Sequence, residues 1–294
     1  MNRISTRYQY NNNQAQIRQA QSRLYELSQE VATGKRSNLL KNDPTGASYV
    51  IRSSALKTAT EQYDKNLRTG DDYLKNSEAA LSELHDLMTS AKLLATQAAS
   101  DAVDQQARVA MVTQVTQLQK RIVDLANTQG NSGQYIFAGQ KNNQVPYTIS
   151  GSTLVYNGDA NSINIETGRG QTMAVNSKSS SIFVSAYADL ETLKNDLTSG
   201  NIPLLSGQDI QNISTRLDSV RLERGNVGTR LQTVADLSSQ NKRRIDDLTS
   251  RISDVEEVDM AEAIANYQLA ETAYQAALQT TALTNKLSLM DFIS

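Results

Sequence analysis

Glycine and proline are absent from residues 1–33, 71–129 and 229–294, whereas seven of the fourteen glycines fall between Gly130 and Gly170. A backbone free of both breakers is helical wherever an apolar periodicity runs through it, and clustered glycine marks turns. Helix-rich ends therefore flank a turn-rich middle. An amphipathic helix gains little from propensity alone, so each end needs a packing partner.

Each breaker-free stretch carries that periodicity. Ile17, Ala20, Leu24, Leu27 and Val31 recur by threes and fours up to Gly34, which predicts a helix closed by a left-handed C′ residue. A loop is expected over 35–42; Asp43 as N-cap and Pro44 at the first helical position then open a second helix. It is expected to run through Ile51, Leu56 and Tyr63 towards Leu67 and to break or bend near Gly70. Leu74, Leu81, Leu84, Met88, Ala91, Ala95 and Ala98 form the next seam, and Met111, Val115, Leu118, Ile122 and Leu125 another. Ser100, Asp101 and Asp104 between them predict a turn and an antiparallel hairpin, with one unbroken helix as the alternative.

In the middle the period changes. Segments 134–138, 146–149, 153–156, 162–166 and 172–175 read as short strands, predicting a small antiparallel β domain. A helix is expected over 182–197, ending before Gly200. Leu217, Val220, Val227, Leu231, Val234, Ile245, Leu248, Ile252 and Val255 then fit one heptad frame, weakened where Arg224, Ser238 and Asn241 occupy it. A continuous helix over these positions would be about 70 Å long. Asp259 and Glu262 have capping-box spacing and restart an Ala-rich helix carrying Leu269, Leu283, Leu287 and Met290.

The fold class expected is mainly α with a small β insertion. The N- and C-terminal regions would form an elongated antiparallel helical bundle or coiled coil, with the β-rich domain at the far tip. The expected segments are 1–42 and 259–294 as terminal assembly helices, 43–129 and 181–258 as the two parts of a helical rod, and 130–180 as the β-rich tip. Assembly residues are expected on both terminal seams: Ile17, Leu24, Leu27 and Val31, pairing with Leu269, Leu283, Leu287 and Met290. Seams this weakly apolar predict ends that are poorly ordered in the monomer and fold against neighbours.

Chemistry is sparse by the same reading. Lys and Arg total 29 against 31 Asp and Glu, so no basic face for nucleic acid is expected. The absence of cysteine removes disulfides, thiolate metal sites and Cys nucleophiles together. His85 is the lone histidine and predicts packing or solvation before ligation. Glu256, Glu257 and Asp259 read as an acidic helix start rather than a cation site. Tyr8, Tyr10, Tyr267 and Tyr274 read as helix-packing residues. No phosphate-binding glycine motif, catalytic constellation, cofactor site or membrane span is recognised, and the polar start of the chain predicts no cleaved secretory signal. An enzyme is not expected.

Specific residues carry a family resemblance. The opening Met-Asn-Arg-Ile-Ser-Thr, Leu27-Ser-Gln-Glu-Val-Ala-Thr-Gly-Lys-Arg36 and Asn42-Asp-Pro-Thr-Gly-Ala47 resemble the start of the bacterial flagellin family. Gly133-Gln-Tyr-Ile-Phe-Ala-Gly139, Arg224-Gly-Asn-Val-Gly-Thr-Arg-Leu231, Val255-Glu-Glu-Val-Asp-Met-Ala-Glu-Ala263 and the tail Leu287-Ser-Leu-Met-Asp-Phe-Ile293 are similar to its hook-associated branch. The resemblance implies a structural subunit of the flagellum at the hook–filament junction, exported by the flagellar type III apparatus. It implies as partners the other hook-associated junction protein (FlgK type), flagellin, copies of the chain itself in a ring and a flagellar export chaperone. A short flagellin and a soluble coiled-coil adaptor are the alternatives.

Overall fold

The computed structural model describes residues 2–37, 39–100, 103–177 and 179–293, with side chains except at 2–7, 9, 40 and 284–293. The chain divides into two compact units, Met1–Ala59 with Arg244–Ser294, and Thr60–Arg243.

The first unit contains α1 (Asn2–Thr33), α2 (Leu39–Asn42), the beginning of α3 (Pro44–Ala98), the end of α7 (Ile210–Glu256) and α8 (Met260–Ile293). Its helix ends have identifiable causes. Gly34 takes φ 69° and its N–H reaches the Glu30 carbonyl at 2.8 Å, so α1 stops where expected. The Asp43 carboxylate accepts from the Gly46 N–H at 2.9 Å and opens α3. Asp259 accepts from the Ala261 N–H at 2.8 Å and opens α8. The expected loop 35–42 instead contains the single turn α2, closed by the Asp43 N–H on the Leu39 carbonyl at 2.7 Å. Four residues are too few to carry a period, which is why the pattern did not reveal it.

The second unit holds a continuous core running from Leu67 on α3 to Val234 on α7. The predicted turn after Ala98 is present: α4 (Gln105–Ala126) opens on Asp104, whose carboxylate accepts from the Ala107 N–H at 2.7 Å. Arg121 of α4 reaches back to Glu83 of α3 at 2.6 Å, so the two helices run antiparallel. The expected break at Gly70 is absent, and α3 continues through it. A Cβ there would lie 2.7 Å from Ile165 Cδ1 and 2.8 Å from Val175 Cγ1. Gly70 therefore makes room for the β segment on an intact helix, a role that sequence punctuation alone does not distinguish from a break.

The strands are β1 (Tyr147–Ser150), β2 (Thr153–Tyr156), β3 (Asn164–Gly168) and β4 (Gln171–Ala174). They form two separate antiparallel hairpins, β1–β2 and β3–β4, which make up the small antiparallel β insertion. Residues 134–138, expected as a strand, form turns instead. Ile136, Phe137 and Ala138 are buried in succession, where a half-buried strand would alternate, and the Ile136 N–H bonds to the Thr128 carbonyl at 3.1 Å. β2 packs on the next helix, α5 (Ser180–Ser199), where Phe183 meets Phe137 and Tyr147 at centroid distances of 4.8 and 5.7 Å. Gly200, at φ 69°, caps α5. The short turn α6 (Ile202–Leu204) and a π-helix (Leu205–Asp209) lead into α7, continuous as its heptads required.

Candidate assembly interface

In the first unit α1 and α8 pack on one another, with the end of α1 beside the start of α8, so they run antiparallel. The covered stripe of α1 contains Ile17, Ala20, Leu24, Leu27 and Val31, all half-buried. Opposite stand Ala263, Tyr267, Ala270, Tyr274, Ala277 and Thr281 of α8, in strict four–three alternation. Only Ala263 and Ala270 among these are buried. A two-helix layer lacks the third element that would close its seam, so its leucines keep part of their surface in water.

Six of the eight expected residues have described side chains, and these separate into two faces. Ile17, Leu24, Leu27 and Val31 lie in the α1–α8 seam. Leu269 and Leu283 do not; they are 69% and 63% exposed on the side of α8 turned away from it. The side chains of Leu287 and Met290 lie outside the described residues. Within the chain the α1 leucines thus meet alanines and tyrosines, not Leu269 or Leu283. Met260, Ile264 and Leu278, each 42% exposed, flank the seam. Tyr267 and Tyr274 were expected to pack, but the stripe they form with Ala263, Ala270 and Ala277 was not recognised because alanine is weakly apolar; the strict spacing of 263, 267, 270, 274 and 277 is the signal that would have found it.

The base of this layer is a clasp. The Arg36 N–H donates to the Glu256 carbonyl at 2.8 Å and the Val258 N–H to the Gly34 carbonyl at 3.0 Å. Lys35 pairs with Glu256 at 3.0 Å, and Arg36 Nε reaches the Glu257 carbonyl at 3.3 Å. Beside it lies a groove of about 440 Å³ lined by Glu30, Ser37, Asp43, Asp259 and Glu262 among others. Glu30 fills one wall by accepting from both the backbone N–H and hydroxyl of Ser37, at 2.9 and 3.0 Å. The acidic run is thereby distributed: Glu256 in an ion pair, Glu257 in the bridge, Asp259 at a helix cap. Among the described residues no group of three His, Cys, Asp or Glu is placed to hold a metal ion. His85 stands half-buried on α3. Of the four tyrosines, Tyr8 and Tyr10 are exposed, while Tyr267 and Tyr274 lie in the seam.

The resemblance-bearing segments in the second unit are packing devices. Phe137 anchors the 133–139 turn on Phe183. Within 224–231, Val227 is buried, Arg224 donates to Glu78 at 2.7 Å, and Arg230 donates to the Asn176 carbonyl at 2.8 Å. Glu223, just before, accepts from the Ser177 hydroxyl at 2.6 Å. About two turns of α7 thus secure both α3 and the segment that follows β4.

Known proteins match this organisation along nearly the whole chain. Residues 4–142 match the bacterial flagellin N-terminal helical region, and residues 210–293 the bacterial flagellin C-terminal helical region. The flagellar hook-associated protein 3 of Escherichia coli (strain K12) is 25% identical over 313 aligned positions, covering 98% of each chain. The FlgL crystal structure from Bacillus cereus superposes with a TM-score of 0.61 at 21% identity, over 69% of this chain and 99% of that one. Hook-associated protein 3 of Legionella pneumophila gives 0.63 at 14% identity, over 70% and 98%. With both helical ends matched in order around a β insertion, the chain belongs to the bacterial flagellin family.

Proposed function

We propose that the chain is a structural subunit of the flagellum at the hook–filament junction, built into its ring through α1 and α8. The observation that carries this reading is the outward face of α8. Leu269 and Leu283 share one helix face, exposed, on a layer whose own seam is only half closed. Burying each against a neighbouring copy would contribute about 1.5–3 kcal/mol. End-to-end similarity to a protein named flagellar hook-associated protein 3 directs the reading to the junction. The partners in this proposal are copies of the chain, flagellin, the other hook-associated junction protein and an export chaperone. Export would proceed through the flagellar type III apparatus, and the role proposed is structural.

Deletion tests the position in the organelle. Loss of a junction subunit leaves finished hooks and flagellin shed into the medium. The second reading, a short flagellin, is favoured by the match of both ends to flagellin helical regions. It leaves no flagellin to shed. Complementation with Leu269→Asp, Leu283→Asp should fail to restore filaments while the exported chain keeps its second unit folded by circular dichroism. Full motility from that variant would exclude the α8 face as an assembly surface.

A further inference from the structure

Where α5 turns back into α7, two consecutive heptad layers carry opposite electrostatics. Asp189 and Asp196 lie seven residues apart on α5, and Asp209 and Arg216 seven apart on the returning segment. In one layer Asp189 meets Arg216 at 3.0 Å, a complementary pair. In the other the equivalent positions are Asp196 and Asp209, two carboxylates, on elements that pack together.

Asp209 closes the π-helix and is 1% exposed, and neither of its carboxylate oxygens has a hydrogen-bond donor. Among the described residues none donates a hydrogen bond to it. Residues 202–208 bear no charge. Arg216 of α7 is engaged by Asp189. On α4, Arg108, beside Gly200, donates to the Val103 carbonyl at 2.6 Å and to Gln105 at 3.4 Å. Lys194 of α5 pairs with Glu191, which also accepts from Gln119.

Two ionised carboxylates are both acceptors and cannot bond each other; a proton on one makes it a donor to its neighbour. Burial first, then the charge of Asp196 and a bond with it, then the charge of Asp189, push the Asp209 carboxyl up from 3.8 to about 6. A buried unpaired charge is otherwise costly, and the π-helix is a rare backbone form with little margin of its own.

We propose that Asp196 and Asp209 form a proton-gated latch: one shared proton holds the π-helix in the α5–α7 corner, and its loss loosens that corner. The sign follows from the raised folded value. The stabilisation is present at low pH and is lost as pH rises through the folded midpoint.

The test is carboxyl ¹³C NMR titration of the full chain, with hydrogen exchange of residues 202–212 corrected for intrinsic rates. Asp209 should titrate near 6, and opening of the corner should rise about tenfold from pH 5 to 7.5. In Asp209→Asn the pH step should vanish, with high protection at both pH values. In Asp196→Asn the Asp209 midpoint should fall towards the ordinary carboxylate range and the step should shrink, which carries the test if the first variant fails to fold. A wild-type Asp209 midpoint at about 4 or below, or a step that survives in Asp209→Asn, overturns the latch.

Discussion

Arg224 of α7 donates through Nε and Nη2 to a single oxygen of Glu78 on α3, at 2.9 and 2.7 Å, joining residues 146 apart in sequence. The other Glu78 oxygen is buried without a donor. Arg224 occupies a heptad position where an apolar residue would fit the frame, so the pair is a polar layer in an apolar seam. Arg224→Leu should cost about 1–3 kcal/mol because it strands Glu78. Adding Glu78→Leu should recover much of that loss. A double-mutant cycle by urea unfolding measures both, and a double variant no better than the single would show that the layer is needed as a pair.

Ser238 makes the second polar layer, its hydroxyl donating to Asp64 at 2.7 Å. Burial opposes ionisation of Asp64, but bonds from Ser238 and Arg68, with the charges of Arg68 and Lys242, hold its carboxyl below the ordinary 3.8. A depressed folded value gives stability that is present above the ordinary value and lost as pH falls through the folded one. Ser238→Ala is expected to cost about 1–2 kcal/mol at pH 7. The gap from wild type should narrow as pH is lowered below about 4. Equal gaps at pH 7 and pH 3 would count against a charge-assisted bond.

The helix glycines should respond in opposite directions. Gly70→Ala improves helix propensity but drives a methyl into Val175, which is 1% exposed and cannot yield. A net loss of about 1 kcal/mol is expected. Gly225 and Gly228 of α7 have nothing within 4 Å of an added Cβ, so alanine at each should add about 0.5–1 kcal/mol. Thermal unfolding of the three single variants checks the pattern.

The terminal layer should yield to protease before the second unit does. Limited digestion of the dilute chain is expected to remove about the first forty and last thirty-five residues and to spare the 60–243 core. α1 has no fully buried side chain among those described, whereas Leu67, Leu81, Phe183 and Leu193 are wholly buried. Ends as resistant as the core would mean that the α1–α8 pair is stable without neighbours.

Legibility followed the strength of local signals. Gly34, Asp43-Pro44, Asp104, Gly200 and Asp259 act on the residues beside them, so the helix boundaries they set were readable. The seams on α3, α4 and α7 were also readable, since their large apolar residues keep one period. What depends on distant partners was not. Gly70 looked like a break because the groups it accommodates, Ile165 and Val175, lie about a hundred residues away. Residues 134–138 have strand composition, but Phe137 is claimed by Phe183. At the candidate interface Leu269 and Leu283 lie outside the seam that α1 and α8 form within the chain, which the sequence did not reveal, since a helix with apolar residues on several faces has no single dominant period.

The clasp that brings Lys35 against Glu256 sets an order of events. Its two halves are separated by 221 residues, and α8 follows the second half. α1 can therefore reach its mate only after the more than two hundred intervening residues exist, and a product truncated before residue 256 leaves it with no mate at all. Such a late, distant closure is slow relative to the local helix contacts of the second unit. Nascent or prematurely terminated chains would consequently present Leu24 and Leu27 uncovered throughout synthesis, the interval in which association with foreign surfaces is easiest.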